Sequence, residues 1–436
     1  MDDSECSAMA RLPNDAIVEI HSRHNAKSLC RSKCVSKPWR DLIADRLHCK
    51  NLPQTLQGFL YFDGGNWDVN DNGDLVISSS SKKLPRPNYG HFINMLGESV
   101  PFLDSSFTFM KEQLDDVEGI RVLDSCNGLL LFGPRWGSDS YDSEGYIVCN
   151  PVTEQWVAVP SSGLTPPPPE ETVDKEDSVN DVRTFLLFDP SVSSHFYLVQ
   201  FWQDEYRENV EGVRTYSSES GLWSDRSSEW RQRENEDGGR WTYYGVIGSP
   251  LRGRAFVNGM LHFLFYRFAQ DEFDIIAVDG QGKTCKVISW PNKYQLFHNN
   301  ACFIGQSQGS LHCISVLGKQ KVECNDDLQL TGLSIWVLED YDTEEWVLKH
   351  CVSFLQLFGT KICLSPFAYV AVAFHPDRNL VFFVDQRDLI SFEESRLISY
   401  NMDSREVCVL CTLGQVRSRM TLYVPCFESL ALGYKH

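Results

Sequence analysis

Hydrophobic positions along the chain follow two different periods. Between residues 11 and 50 apolar residues recur every three or four positions, as at Ile17 and Ile20. This is the spacing of amphipathic helices. From residue 58 onward short apolar runs alternate with turns rich in Gly, Asn, Asp and Pro, which is typical of β-strands. The pattern therefore predicts a small all-α unit followed by a large all-β domain.

Local signals divide the helical stretch into three short helices. Pro13 with the next two polar residues predicts the start of the first, and Leu29 lies on the apolar stripe of the second. Ser36 is placed to cap the third, with Pro38 in its first turn, where a missing N–H costs little. Three such helices bury little apolar surface alone, so the unit needs a partner or the body of the protein.

The β region repeats with a long period. Groups of strands close near a tryptophan, at Trp156, Trp223, Trp290 and Trp346. Such repetition predicts a β-propeller of roughly six blades, with an aromatic residue of each blade packed between sheets. Two β-sandwich domains are the alternative.

These patterns suggest domain boundaries. We expect a disordered N-terminus over residues 1–10, a helical module over 11–50, a linker over 51–57 and the β domain over 58–432. Two polar stretches, 161–181 with four consecutive prolines and 225–240 with many charges, are predicted to be mobile loops. Each is either a tolerated insertion or a binding loop.

The charge of the chain is uneven. The 436 residues contain 40 Lys and Arg against 59 Asp and Glu, a net charge of −19, which disfavours binding to nucleic acid or to an anionic membrane. Residues 11–50 contain nine Lys or Arg and four Asp or Glu. This basic head favours an acidic partner, unless its charges only form the solvated faces of helices.

The sequence also favours a reducing compartment. No secretory signal or membrane-spanning run is found, and the 15 cysteines are odd in number and mostly lie in apolar strings. We therefore expect a soluble protein of the cytoplasm or nucleus.

Three short motifs resemble catalytic or metal sites. The run from Gly305 to Gly309 matches the G-x-S-x-G of hydrolases, but a strand follows it where a helix is required, so a hairpin turn is predicted. The run from Asp279 to Thr284 resembles a phosphate loop, but it lacks the first glycine and is interpreted as a β-turn. Cys408 and Cys411 have redox or zinc spacing without a second pair. We predict no cofactor and no catalytic residue.

A zinc site in the helical head is a further alternative. Its ligands would be His21, His24, Cys30 and Cys34, which lie within one helical region. All four side chains would have to point inward from consecutive helices, so we predict no metal there.

The helical head resembles the F-box. The resemblance rests on Leu12-Pro13, on residues 26–29 (Ala-Lys-Ser-Leu) and on residues 34–43 (Cys-Val-Ser-Lys-Pro-Trp-Arg-Asp-Leu-Ile). In that family the module docks on the Skp-type adaptor of a cullin-RING ubiquitin ligase. The resemblance implies that the docking residues are Leu12, Pro13, Ile17, Ile20, Leu29, Cys34, Val35 and Trp39. The chain departs from the usual Leu, Leu, Pro, Leu and Phe of the family at His21, His24, Asn25, Cys30 and Ser32.

The β domain is similar to the F-box-associated domain of plant-type F-box proteins. Residues 126–130 (Cys-Asn-Gly-Leu-Leu) and 150–156 (Asn-Pro-Val-Thr-Glu-Gln-Trp) carry this similarity. Together the resemblances imply a non-enzymatic substrate-recognition adaptor, with a Skp-type adaptor, through it a cullin, and an unknown target protein as partners. Two alternatives stay open: a propeller interaction module that has lost adaptor docking, and a propeller enzyme.

Overall fold

The computed structural model describes residues 13–22, 32, 36, 38–39, 42, 56–61, 67–69, 75–77, 91–95, 103, 107–111, 120–134, 145–163, 180–204, 209–227, 230, 245–248, 252–267, 272–282, 285–291, 303–319, 329–360, 369–385, 395–413 and 420–426. Within these ranges lie the helices α1 (Asn14–Ser22), α2 (Thr108–Lys111) and α3 (Phe354–Phe358). None of these helices is long and apolar enough to cross a membrane.

Five antiparallel sheets follow one another along the chain, each built from consecutive strands. Four strands precede them: β1 (Gly58–Tyr61), β2 (Trp67–Val69), β3 (Leu75–Ile77) and β4 (His91–Asn94). Blade I contains β5 (Ile120–Cys126), β6 (Leu129–Pro134), β7 (Tyr146–Asn150) and β8 (Gln155–Val159). Blade II contains β9 (Asn180–Leu187), β10 (Tyr197–Asp204), β11 (Asn209–Ser217) and β12 (Leu222–Asp225).

Blades III to V continue the series. Blade III contains β13 (Val246–Ile247), β14 (Ala255–Val257), β15 (Met260–Arg267), β16 (Glu272–Asp279) and β17 (Cys285–Ser289), with β13 and β14 both paired to β15. Blade IV contains β18 (Phe303–Ser307), β19 (Ser310–Lys319), β20 (Gln329–Asp340) and β21 (Glu345–Ser353). Blade V contains β22 (Tyr369–Phe374), β23 (Leu380–Asp385), β24 (Arg396–Asn401) and β25 (Val407–Thr412).

Blade VI joins the first and the last of the described strands. Its strand order is β26 (Thr421–Tyr423), β1 and β4, with Gly58 paired to Tyr423 on one side and to Asn94 on the other. The short strands β2 and β3 pair only with each other among the described strands. A strand from near the C-terminal end thus completes a sheet that begins near the N-terminal end.

An apolar cluster fills each of the six junctions between neighbouring blades. Representative buried pairs are Leu131 and Leu198 (I–II), Phe201 and Phe263 (II–III), Ile275 and Ile304 (III–IV), Ile335 and Phe383 (IV–V), Phe59 and Phe382 (V–VI), and Phe132 and Tyr423 (VI–I). Because every blade packs on two neighbours, the six sheets form a closed ring. The prediction of a propeller of roughly six blades is confirmed, and the two-sandwich alternative is wrong.

Tight turns gather at one end of this ring. The hairpins β5–β6, β14–β15 and β18–β19 of blades I, III and IV turn at Asn127-Gly128, Asn258-Gly259 and Gln308-Gly309, all with positive φ. Such pairs suit two-residue hairpins because both central residues are left-handed. Strand direction alternates within each blade, so the connections that lead into the outermost strands β8, β12, β17, β21 and β25 lie at the same end. We call this end the turn face; it comprises residues 127–128, 150–155, 188–196, 217–222, 258–259, 279–282, 308–309, 339–345, 375–379 and 401–406.

Two indole rings connect the outermost strands of successive blades. Trp223 in β12 donates from Nε1 to the carbonyl of Pro160, which directly follows β8 (2.8 Å). Trp346 in β21 donates in the same way to Ser289, the last residue of β17 (3.0 Å). These contacts confirm that aromatic residues pack between sheets.

Trp290 is not the equivalent of these residues. Trp223 and Trp346 are each the second residue of their strand, whereas Lys286 has that position in β17. Trp290 instead lies directly after β17 and is buried in the III–IV cluster. The sequence interval from Trp223 to Trp290 therefore does not measure one blade. Trp230 is also buried, and its Nε1 donates to the carbonyl of Gly282 (3.3 Å). The segment 225–240, predicted as a mobile loop, is thus anchored to the II–III cluster at this residue.

Candidate functional site

Helix α1 begins as the sequence predicts. The carbonyl of Pro13 accepts hydrogen bonds from the amides of Ala16 (3.0 Å) and Ile17 (3.2 Å). Ile17 and Val18 are buried and form a cluster with Leu42, against which Trp39 packs. The amide of Trp39 donates to Ser36 Oγ (3.3 Å), which confirms Ser36 as a helix cap.

The structure places four of the eight predicted docking residues. Pro13 is exposed, Ile17 is buried, Ile20 is 43% exposed and Trp39 is half-buried. Leu12, Leu29, Cys34 and Val35 lie outside the described residues. Ile20 thus presents an apolar side chain to solvent on a helix whose other apolar residues face the cluster of the head.

Of the five departures from the family pattern, Ser32 is the one whose side chain the structure places. It is helical and only 7% exposed, so a small hydroxyl stands at a buried position where the family usually has Phe. The side chains of His21, His24, Asn25 and Cys30 lie outside the described part of the structure, as does Cys34. The alternative zinc site therefore also lies outside it. Among the described residues no group of three or more His, Cys, Asp or Glu side chains is arranged to hold a metal ion.

The first strand of the ring starts at the turn face. Cys426 lies against Gly128, which belongs to that face, so the end of β26 is there. Because Gly58 pairs with Tyr423, β1 starts at the same end. The amide of Gln57 donates to the Tyr423 carbonyl (3.1 Å), and its own carbonyl accepts from Met95 (2.8 Å). Residues 56–57, which lead into β1, therefore lie at the turn face.

A buried ion pair holds three inner strands together near the axis. Asp124 of β5, fully buried, accepts hydrogen bonds from Arg254 and from the amide of Leu186 in β9 (2.8 Å). Arg254 directly precedes β14 and also donates to the carbonyl of Ser125. Sequence reasoning missed this pair because its partners are far apart along the chain and only the ring brings them together.

The hydrolase-like motif is part of this scaffold. The Ser307 hydroxyl is buried and donates to the carbonyl of His375 in blade V (2.7 Å), while the amide of Phe256 donates to Gln306 Oε1 (2.5 Å). The motif spans β18 and its hairpin turn, as predicted. Its serine connects two blades and has no histidine ring nitrogen as a described hydrogen-bond partner.

The phosphate-loop-like motif is also a turn. It joins β16 to β17, with Asp279 Oδ1 accepting from the amide of Gln281 (3.0 Å) and Gly282 at φ 67°. Cys408 and Cys411 lie on the outermost strand β25, with free thiols.

A buried histidine joins blades III and IV. His262 Nδ1 lies 3.0 Å from the Met260 carbonyl, which can only accept, so this nitrogen carries the proton. Nε2 then accepts from the Tyr341 hydroxyl (2.8 Å). His312 repeats the first contact with Ser310 (3.0 Å). Each histidine follows a hairpin glycine by three residues, and this spacing is the signal that sequence reasoning overlooked.

This histidine gives a pH prediction. Burial lowers the pKa of His262 from 6.5 to about 4, and the charge of Lys286 adds to that effect. Between these values the unfolded chain binds a proton that the folded chain does not, so the free energy of unfolding falls as the pH falls. The expected slope is about 1.4 kcal/mol per pH unit. Urea unfolding between pH 7 and pH 4.5 should show a shallower dependence for His262→Gln; an identical slope would contradict this assignment.

The fold and both parts of the chain match known families. A family model described as "F-box protein At3g26010-like, beta-propeller" matches residues 91–424, and one described as "F-box-like" matches residues 9–52. The β domain thus matches the At3g26010-like propeller, whereas the sequence predicts the F-box-associated domain. The F-box-like head and the propeller are supported, and the finer domain name is corrected.

Relatives in Arabidopsis thaliana carry the same F-box designation. F-box protein At1g67130 is 23% identical over 342 residues, covering 77% of this chain and 60% of that protein. F-box protein At5g49610 is 23% identical over 383 residues, covering 84% and 87%. F-box/kelch-repeat protein At4g19930 is 24% identical over 358 residues, covering 79% and 70%.

Solved structures are more distant. The GH93 α-L-arabinofuranosidase of Fusarium graminearum has a TM-score of 0.36 and 8% identity, covering 68% of this chain and 81% of that one. The protein lmo1340 of Listeria monocytogenes has a TM-score of 0.34 and 11% identity, covering 69% and 86%. Likeness at this level carries no argument. The family match instead spans most of the ring and the head, and the chain belongs to the At3g26010-like F-box proteins with a β-propeller.

Proposed function

We propose that the protein is the substrate-recognition adaptor of an SCF-type ubiquitin ligase. The helical head would dock on a Skp-type adaptor, and the propeller would hold a target protein near the ubiquitin-charged enzyme. Catalysis then comes from proximity, and no side chain of this chain performs chemistry. The observation that supports this proposal is the match of residues 9–52 to the F-box, joined to a closed ring.

The architecture supports the same division of labour. The first strand of the propeller starts at the turn face, and the F-box-like residues precede this strand in the chain. Asp124 and Ser307, two buried polar residues of inner strands, form hydrogen bonds with neighbouring blades. This arrangement fits a rigid scaffold better than an active site. We place this activity in the cytoplasm or nucleus, where free thiols such as Cys408 persist.

Adaptor docking can be tested on the head. We expect Leu12→Ala with Pro13→Ala to abolish co-purification with a Skp-type adaptor, because these two residues open the family motif. Val409→Ala with Leu348→Ala is the matched control: both side chains are apolar and exposed, on outer strands of the ring. The control should retain the adaptor. Retention by the Leu12 and Pro13 variant would count against the proposal.

A second candidate function is a propeller interaction module without adaptor docking. The buried Ser32 favours it, because a hydroxyl there contributes less apolar surface than the Phe usual in the family. If the natural sequence fails to bind the adaptor while Ser32→Phe binds it, this second function is supported. Binding by the natural sequence supports the first.

A further inference from the structure

The turn face combines exposed apolar side chains with a strong negative charge. Val192 and Leu222 are both 67% exposed, which exceeds the exposure of the other large apolar side chains that the structure describes. Both belong to the turn face of blade II. Their two turns are fastened together, since Ser218 donates its amide to the Phe196 carbonyl (3.0 Å) and accepts from the Phe196 amide through Oγ (2.9 Å).

Acidic residues dominate the same face. Its segments contain twelve Asp or Glu and two Lys or Arg. The acidic positions are Glu154, Asp189, Glu219, Asp279, Glu339, Asp340, Asp342, Glu344, Glu345, Asp377, Asp403 and Glu406. They are spread over blades I to V rather than gathered in one loop. Charges of one sign distributed over a surface raise the local concentration of oppositely charged partners.

At the opposite end of the ring, described ion pairs join neighbouring strands: Arg267 pairs with Glu272 (3.1 Å) and Asp274 (2.7 Å), and Arg396 pairs with Asp385 (2.7 Å). On the turn face, Glu339 pairs with Lys349 of β21. The turn-face segments thus contribute 12 − 2 = 10 negative charges in a chain whose net charge is −19.

From these observations we infer that the turn face is a docking surface for a basic segment of the target, one that carries Lys or Arg beside an apolar side chain. Val192 and Leu222 supply the apolar contact, and the acidic residues steer and orient the basic segment. The inference rests on the proposed function, because it identifies where and by what chemistry the propeller holds its target.

The occupant is argued from charge complementarity. The basic head of this chain is the competing occupant, but the proposed function assigns the head to the adaptor. The experiment therefore uses the full chain both alone and in complex with a Skp-type adaptor. The probe is a short fluorescein-labelled peptide of repeating Lys-Lys-Leu triplets, with a Glu-Glu-Leu peptide as its negative counterpart.

Two kinds of variant test the surface by fluorescence anisotropy. Glu219, Asp342 and Glu345 are exposed, and changing all three to Lys should weaken probe binding about tenfold or more, with less effect as salt is raised. Val192→Ser with Leu222→Ser should weaken it without changing the salt dependence. Glu219→Asp, Asp342→Glu and Glu345→Asp together keep the charge and should bind as the natural chain does.

A matched control separates this face from net charge. Glu170→Lys, Glu171→Lys and Glu176→Lys make the same charge change in the acidic segment 161–181. This variant should bind the probe within about twofold of the natural chain. An equal loss in this control, or no loss in the turn-face variant, overturns the inference. Probe binding only in the adaptor complex also overturns it, because the face would then belong to the head.

Adaptor co-purification of every variant distinguishes the two proposals. If the natural chain fails to bind the adaptor, the proposed function fails whatever the probe does. If all variants keep the adaptor and the turn-face substitutions leave probe binding unchanged, only the inference about the docking surface is wrong.

Discussion

Gly128→Ala is expected to destabilise the ring by about 3 kcal/mol or more. A Cβ at this position would lie 2.3 Å from the backbone nitrogen of Cys426, where the C-terminal strand closes blade VI. Gly128 also has φ 89°, which alanine adopts at a cost of about 1 kcal/mol. The steric overlap with backbone adds to that cost because neither segment can move without opening the ring. Chemical denaturation should show the lowered midpoint.

The chain provides its own controls for this prediction. Gly259 and Gly309 occupy the same hairpin position at φ 73° and 74°, and a Cβ there meets no atom within 4 Å. Gly259→Ala and Gly309→Ala should therefore cost only about 1 kcal/mol each, the backbone cost alone. Equal destabilisation by all three substitutions would show that contact with Cys426 contributes nothing to closure.

Asp124→Asn is expected to cost about 3 kcal/mol. The carboxylate is fully buried and balances Arg254, whose side chain is 13% exposed. Removing its charge leaves a guanidinium with little water around it, and breaking a buried pair from one side is strongly destabilising. The loss should be visible in urea unfolding as a lower midpoint with an unchanged slope.

Asp385→Asn is the comparison for this second prediction. Asp385 is as buried as Asp124, but its partner Arg396 is 38% exposed and solvent can hydrate it. We expect a cost of about 1 kcal/mol, in the range of exposed pairs. A cost for Asp385→Asn that matches the cost for Asp124→Asn would mean that partner exposure does not set the effect.

The fold could be predicted from the sequence because its signals are local. Hairpin pairs such as Asn127-Gly128 specify left-handed backbone, and alternating apolar runs specify strands on either side. The sequence predicts a hairpin turn at the hydrolase-like motif for the same reason, since a strand follows Gly309. The prediction of a two-part chain with a propeller of roughly six blades needed no long-range information.

Features that depend on ring closure could not be predicted this way. Asp124 and Arg254 are in blades I and III, and nothing near either residue identifies its partner. Trp290 shares its spacing with true repeats yet has a different place in its blade. The charge of the turn face is another case, because Glu219 and Asp342 belong to different blades and share a face only after the strands are arranged.

The order in which the strands are made has a consequence for biosynthesis. Blades I to V are each built from strands adjacent in the chain, so each can pair soon after it leaves the ribosome. Strands β1 and β4 emerge before all of them, but β26 emerges last, and such distant pairing is slow. Until then Phe59, which becomes fully buried, has no complete sheet around it. The newly made protein is therefore an open ring that requires protection from aggregation until residues 421–426 are released.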